Sequence, residues 1–145
     1  MRTKRRIGTF LAASSLFVGV GLTFGANSAS ADPTFTFKKF DNAGNGPIIA
    51  VYNDGHSAGA GYWHKDPVSY YPGDSIQAVD SYSDGWAVET ILYDPYHTTS
   101  TSGHPAPYAG PYKTYNLPEG TSVKIRVCAT KGLNATCSSY YSSTA

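Results

Sequence analysis

Histidine, carboxylate, cysteine and tyrosine are the side chains in this 145-residue sequence with the means to do chemistry. The histidines are His56, His64, His97 and His104. Three of them, gathered by a fold, would hold a metal ion. Their spacing matches neither H-E-x-x-H nor H-x-H, the patterns that bring two ligands to one face. They read as loop histidines, and no metal is expected. Glycoside hydrolysis needs two carboxyls at a defined separation, one in an apolar setting. Glu89, between Trp86 and Ile91, is the best-placed acid, with Asp80 and Asp84 close by in the chain. Asp54 and Asp74 sit in turn sequences, where a short carboxylate caps backbone N–H groups. There is no G-x-S-x-G nucleophile turn. No glycine-rich run with phosphate-binding spacing leads into a helical pattern. A small hydrolase using Glu89 and an aspartate is the alternative reading, and no cofactor is expected.

Tyrosine is the unusual feature. All twelve follow residue 31, together with Trp63 and Trp86, while only 14 Ile, Leu and Val share that stretch. Some rings must therefore form the core, with their polar ends reaching water. The pairs Tyr70-Tyr71 and Tyr140-Tyr141 cannot be wholly buried on one-sided strands, because neighbours point to opposite faces. Tyr96, Tyr108 and Tyr112 lie in or beside a proline-rich stretch. Exposed aromatic rings on a rigid β scaffold with little charge have the composition of a recognition surface. The candidate binding residues are Tyr70, Tyr71, Tyr96, Tyr108, Tyr112 and Trp63. The expected ligand is an extracellular polysaccharide or another exported protein. A structural coat component is a further alternative.

Residues 1–31 read as a signal peptide. Arg2, Lys4, Arg5 and Arg6 make a basic start, an apolar stretch follows from Ile7, and Ala29 and Ala31 fit the A-x-A cleavage pattern. Cleavage after Ala31 leaves one 114-residue domain starting at Asp32. Four of the eleven basic residues lie in the leader, so seven bases face ten acids and the mature charge is −3. One arginine, Arg126, remains. Nothing here suggests a nucleic-acid footprint or a membrane partner after the leader is removed, and a secreted monomer is expected. Cys128 and Cys137 are the only cysteines, and an even count in an exported chain implies a disulfide.

The elements that hold these residues read as strands. No Gly- or Pro-free window of twelve carries a helical apolar stripe. Short β-branched and aromatic runs recur between turn residues. Residues 35–40 alternate, residues 48–52 are nearly continuous in apolar side chains, and residues 62–64 and 68–71 make shorter runs. Pro72-Gly73 suggests a type II turn. Residues 75–82 and 86–93 flank Asp84-Gly85, which predicts a hairpin. On its second arm Trp86, Val88, Thr90 and Leu92 share a face. Residues 94–111 carry four prolines and a Ser-Thr-Gly tract and read as a long surface loop, mobile when free. In the last hairpin Val123, Ile125 and Val127 face inward, and Cys128 faces outward to be stapled to Cys137. Eight or so such strands predict an all-β fold, a small antiparallel β-sandwich or, alternatively, a small β-barrel.

Residues 117–128, Leu-Pro-Glu-Gly-Thr-Ser-Val-Lys-Ile-Arg-Val-Cys, resemble the entry to the penultimate strand of fibronectin-III and immunoglobulin-like sandwiches. Val123 stands where those domains usually carry a tyrosine. With Asp84-Gly85-Trp86 and the Cys128 to Cys137 pair as landmarks, the layout also resembles short exported actinobacterial proteins. That resemblance implies secretion and carries no activity.

Overall fold

The protein is seen here as a computed structural model that describes residues 31–42 and 45–145. The signal peptide read over residues 1–31, apart from Ala31, lies outside the described residues. Eleven strands run in order: β1 (Phe35–Asp41), β2 (Pro47–Asn53), β3 (His56–His64), β4 (Ser75–Asp80), β5 (Ala87–Tyr93), β6 (His97–Ser100), β7 (Tyr108–Ala109), β8 (Lys113–Thr114), β9 (Ser122–Lys131), β10 (Asn134–Cys137) and β11 (Tyr141–Thr144). There is no helix among the described residues.

They form two antiparallel sheets. The first has the order β1-β2-β3-β4, with β7 and β8 both lying along β4. The second has the order β10-β9-β5-β6, with β11 sharing the edge of β9 that β10 occupies further along. Each sheet keeps its own edges, so the fold is the expected sandwich and not the barrel alternative. Period-two alternation fills the space between the sheets. Ile49 and Val51 of β2 and Ile76 and Ala78 of β4 meet Val88 and Leu92 of β5 and Val123, Ile125, Val127 and Ala129 of β9. Gly61 of β3 lets the sheets close: a Cβ there would collide with the Thr90 hydroxyl and a Val127 methyl.

Trp63 is part of this core, not of a binding surface. It is 1% exposed, and its indole Nε1–H donates to the Thr144 carbonyl at 3.1 Å, tying β3 to the last strand of the other sheet. With so few aliphatic residues, the largest ring is taken to fill the interior, and its one donor finds a backbone acceptor there. The expectation that Trp63 binds a ligand is corrected accordingly.

Three local expectations are also corrected. The Asp84-Gly85 turn forms, with Gly85 at φ 77° and the Asp84 carboxylate accepting the Trp86 N–H at 2.8 Å. Its arms do not pair with each other: β4 pairs with β3, and β5 pairs with β9 and β6. The turn reverses the chain but carries it across from one sheet to the other. Both arms carry apolar inner faces, which bury more by packing face to face than side by side.

The stretch 94–111 is not one mobile loop, because β6 pairs with β5 across Glu89 to Leu92. Thr101, fully buried, accepts the Val88 N–H on its Oγ1 at 2.9 Å. Here β-branched threonines supply both strand geometry and hydrogen-bond partners, and the prolines bound the strands instead of forbidding them. Finally, residues 68–71 make only an isolated bridge between Val68 and Tyr71, and beyond Pro72 the positive φ falls on Asp74, not on Gly73.

Cys128 and Cys137 lie directly opposite each other in the β9–β10 register and are joined. The disulfide sits on the outer side of the second sheet, as the alternation from Val123 to Val127 requires, while Val127 and Ala129 on either side enter the core.

Candidate functional site

Three groups of rings stand out beyond the core. The first lies on the outer face of the second sheet. Tyr93 ends β5, and Lys124 of β9 stands opposite it, with Arg126 opposite Ile91 one step along. Tyr96, in the short turn after β5, places its ring 6.5 Å from Tyr93 at 85°. Tyr140, just before β11, places its ring 5.7 Å from Tyr93 at 55°. The three are 49%, 64% and 43% exposed. That much aromatic surface in water, on adjacent positions, is unusual for a face with no partner.

Arg126 is held within this group. Its guanidinium carbon is 4.8 Å from the ring centre of Tyr140. Its Nε is buried without a hydrogen-bond partner. The side-chain ion pairs found among the described residues, Lys39 with Asp41 and Lys65 with Asp66, lie elsewhere. Glu89 is on the same outer face, opposite Cys128, and forms no ion pair with Arg126.

The second group lies on the outer face of the first sheet and gathers Tyr71 and Tyr112 around His64. The His64 ring is 3.9 Å from Tyr71 and 5.8 Å from Tyr62, with Tyr112 edge-on at 5.7 Å. His64 is 4% exposed and neither ring nitrogen has a partner. Burial pushes its pKa down, so the imidazole is neutral at physiological pH. Burial, and then the neighbouring Tyr112, push the Tyr62 phenol up. Tyr70 stays out of the group and points to solvent, 86% exposed. His64 was legible as a partner of Tyr62, two residues before it and hence on the same face. A reading of all four histidines as loop residues does not show this; His64 ends β3.

The third group lines a cleft of about 310 Å³ at one end of the sandwich, where the β4–β5, β6–β7 and β9–β10 connections meet. Asp80, Tyr82, Trp86, His104 and Lys131 are its main side chains. Tyr108 stacks on His104 at 3.9 Å, and the Lys131 ammonium is 5.9 Å from the Trp86 ring centre. Burial pushes the Asp80 carboxyl above its usual value and the Asp84 charge adds to this, against a hydrogen bond from the Tyr82 N–H. Tyr96 and Tyr108, which bracket one segment in the chain, thus belong to different sheets and different groups.

Glu89 does not join Asp80 in one cleft. Asp80 ends β4 of the first sheet and lines the cleft, whereas Glu89 is on the outer side of β5 in the second. The histidines are dispersed, each against its own tyrosine: His56 on Tyr82, His64 on Tyr71, His97 on Tyr115 and His104 on Tyr108. Among the described residues no three His, Cys, Asp or Glu side chains gather as metal ligands. Among the described residues no helix is long and apolar enough to cross a membrane. No family model, curated protein or solved structure matches the chain.

Proposed function

We propose that this is an exported, non-catalytic binding protein that holds an extracellular polysaccharide on the outer face of its second sheet. The observation that carries the reading is the cluster of Tyr93, Tyr96 and Tyr140, all substantially exposed on a scaffold pinned by the disulfide. Sugar rings present C–H faces that stack on aromatic rings, and tyrosine offers that surface at low conformational cost. The ring planes diverge by 85° and 55°. A flat crystalline polysaccharide would need coplanar rings, so the arrangement suits a single soluble chain. The A-x-A site, the basic leader and the cysteine pair support export.

Native gel electrophoresis of the mature domain through gels containing soluble polysaccharides tests this. Retardation that is lost when Tyr93, Tyr96 and Tyr140 are together changed to Ala supports the reading, provided the variant melts within a few degrees of the parent. Undiminished retardation of that variant, or no retardation by any polysaccharide, refutes it. Capture of an exported protein through the same three tyrosines would replace the ligand class.

A further inference from the structure

We infer that the ligand on this face is anionic, a polysaccharide bearing carboxylates, and that Arg126 is the residue that recognises them. The inference rests on the reading of the tyrosine face as a polysaccharide site and adds the charge of the ligand.

Arg126 is the one arginine among residues 32–145. A guanidinium carries five N–H donors in a planar fork that matches a carboxylate in two-pronged fashion. In this protein the fork is stacked on Tyr140 and has been given no carboxylate. Glu89, one pair further along the face, does not reach it, and its buried Nε donates to nothing. Leaving a desolvated donor unpaired costs about 1–3 kcal/mol. The terminal guanidinium nitrogens are not among the buried atoms and hold no carboxylate of the chain, so they are the donors open to a ligand.

Stacking on Tyr140 also orders the side chain in advance, so that less entropy is lost on binding. Lys124, exposed and opposite Tyr93, adds a second cation to the same face. Two acids border the face, Glu89 on β5 and Asp94 just after Tyr93. The face as a whole is therefore not a basic patch. Recognition depends on the placement of one fork among three rings, not on bulk charge.

The test compares polygalacturonate with its fully methyl-esterified form in native affinity gels at physiological salt, with dextran sulfate as a control for undirected charge. The backbone is the same in the first two, and esterification replaces each carboxylate by a neutral methyl ester. Retardation by polygalacturonate should exceed that by the ester roughly tenfold to a hundredfold, the range that corresponds to one charge-assisted hydrogen-bonded pair. Arg126→Gln should abolish the difference, and Arg126→Lys should restore part of it. Equal retardation by both forms would overturn the anionic inference and leave the polysaccharide reading standing. No retardation by either form, nor by any other polysaccharide, would overturn both. Stronger retardation by dextran sulfate than by polygalacturonate would mean attraction by charge alone and would also overturn the inference. If Arg126→Gln fails to fold, the comparison of acid and ester on the parent protein decides.

Discussion

The guanidinium of Arg126 lies over the ring of Tyr140, 4.8 Å from its centre, although Arg126 is within β9 and Tyr140, fourteen residues on, just precedes β11. The ring, not the hydroxyl, holds the cation in place. Tyr140→Phe should therefore keep polygalacturonate binding, and Tyr140→Leu should weaken it several-fold, in line with the ~0.5–1 kcal/mol of an exposed cation–π contact. Both variants should melt within a few degrees of the parent, because Tyr140 is a surface residue. Affinity gels beside thermal melts check this.

Thr101 replaces a strand partner for β5 at the point where the β6 pairing ends. Its hydroxyl accepts the Val88 N–H, and its own N–H donates to the Val88 carbonyl at 3.0 Å. Thr101→Val keeps the shape and leaves the Val88 N–H buried without an acceptor. Urea denaturation should show a loss of about 1–3 kcal/mol, whereas Thr101→Ser should cost less.

The sequence made the strands and their faces legible wherever period-two alternation was strong. The inward set Val123, Ile125 and Val127, the outward Cys128 and the sandwich class follow from it. Partner choice was not legible, because it depends on contacts remote in the chain. Asp84-Gly85 signals a turn equally well whether its arms pair or separate into two sheets. Likewise, threonines 98, 99 and 101 read as polar loop, yet a buried hydroxyl that satisfies backbone groups belongs to the interior. For the candidate site, the proline-rich stretch points to Tyr96 alone of the exposed trio. Tyr93 looked like an ordinary strand residue and Tyr140 like half of a Tyr pair. Their meeting with Arg126 depends on the β5–β9 register, which no local pattern encodes.

The disulfide closes a short hairpin, nine residues apart in sequence. In the chain-entropy view, a loop of that size contributes about 2.7 kcal/mol. The double variant Cys128→Ala/Cys137→Ala should unfold at lower urea by about that much and still fold, since the core lies on the other side of β9. Intact mass of the parent should rise by two hydrogens on reduction.

Two buried groups give stability opposite dependences on pH. Burial lowers the His64 pKa, so the unfolded chain binds the proton more readily. The stability contributed by neutral His64 is present above the ordinary histidine value and is lost as pH falls through the lower folded value. Burial raises the Asp80 pKa, so the folded chain holds that proton more tightly. Its contribution is full below the ordinary aspartate value and is lost as pH rises through the higher folded value. Asp80→Asn should therefore melt higher than the parent at pH 7, and the gap should close toward the acid end. His64→Phe should remove part of the parent's loss of melting temperature below about pH 6.5. Melting curves across pH for the three proteins check both signs.

The proposed binding of a carboxylated polysaccharide to the outer face of the second sheet can be followed residue by residue. Its most direct measurement is an amide ¹H–¹⁵N titration of the mature domain with a galacturonate oligosaccharide. Shifts confined to Tyr93, Tyr96, Lys124, Arg126 and Tyr140 are the predicted result. Shifts centred on the Asp80–Trp86 cleft or on the His64 group, or none at a large excess of ligand, would contradict it.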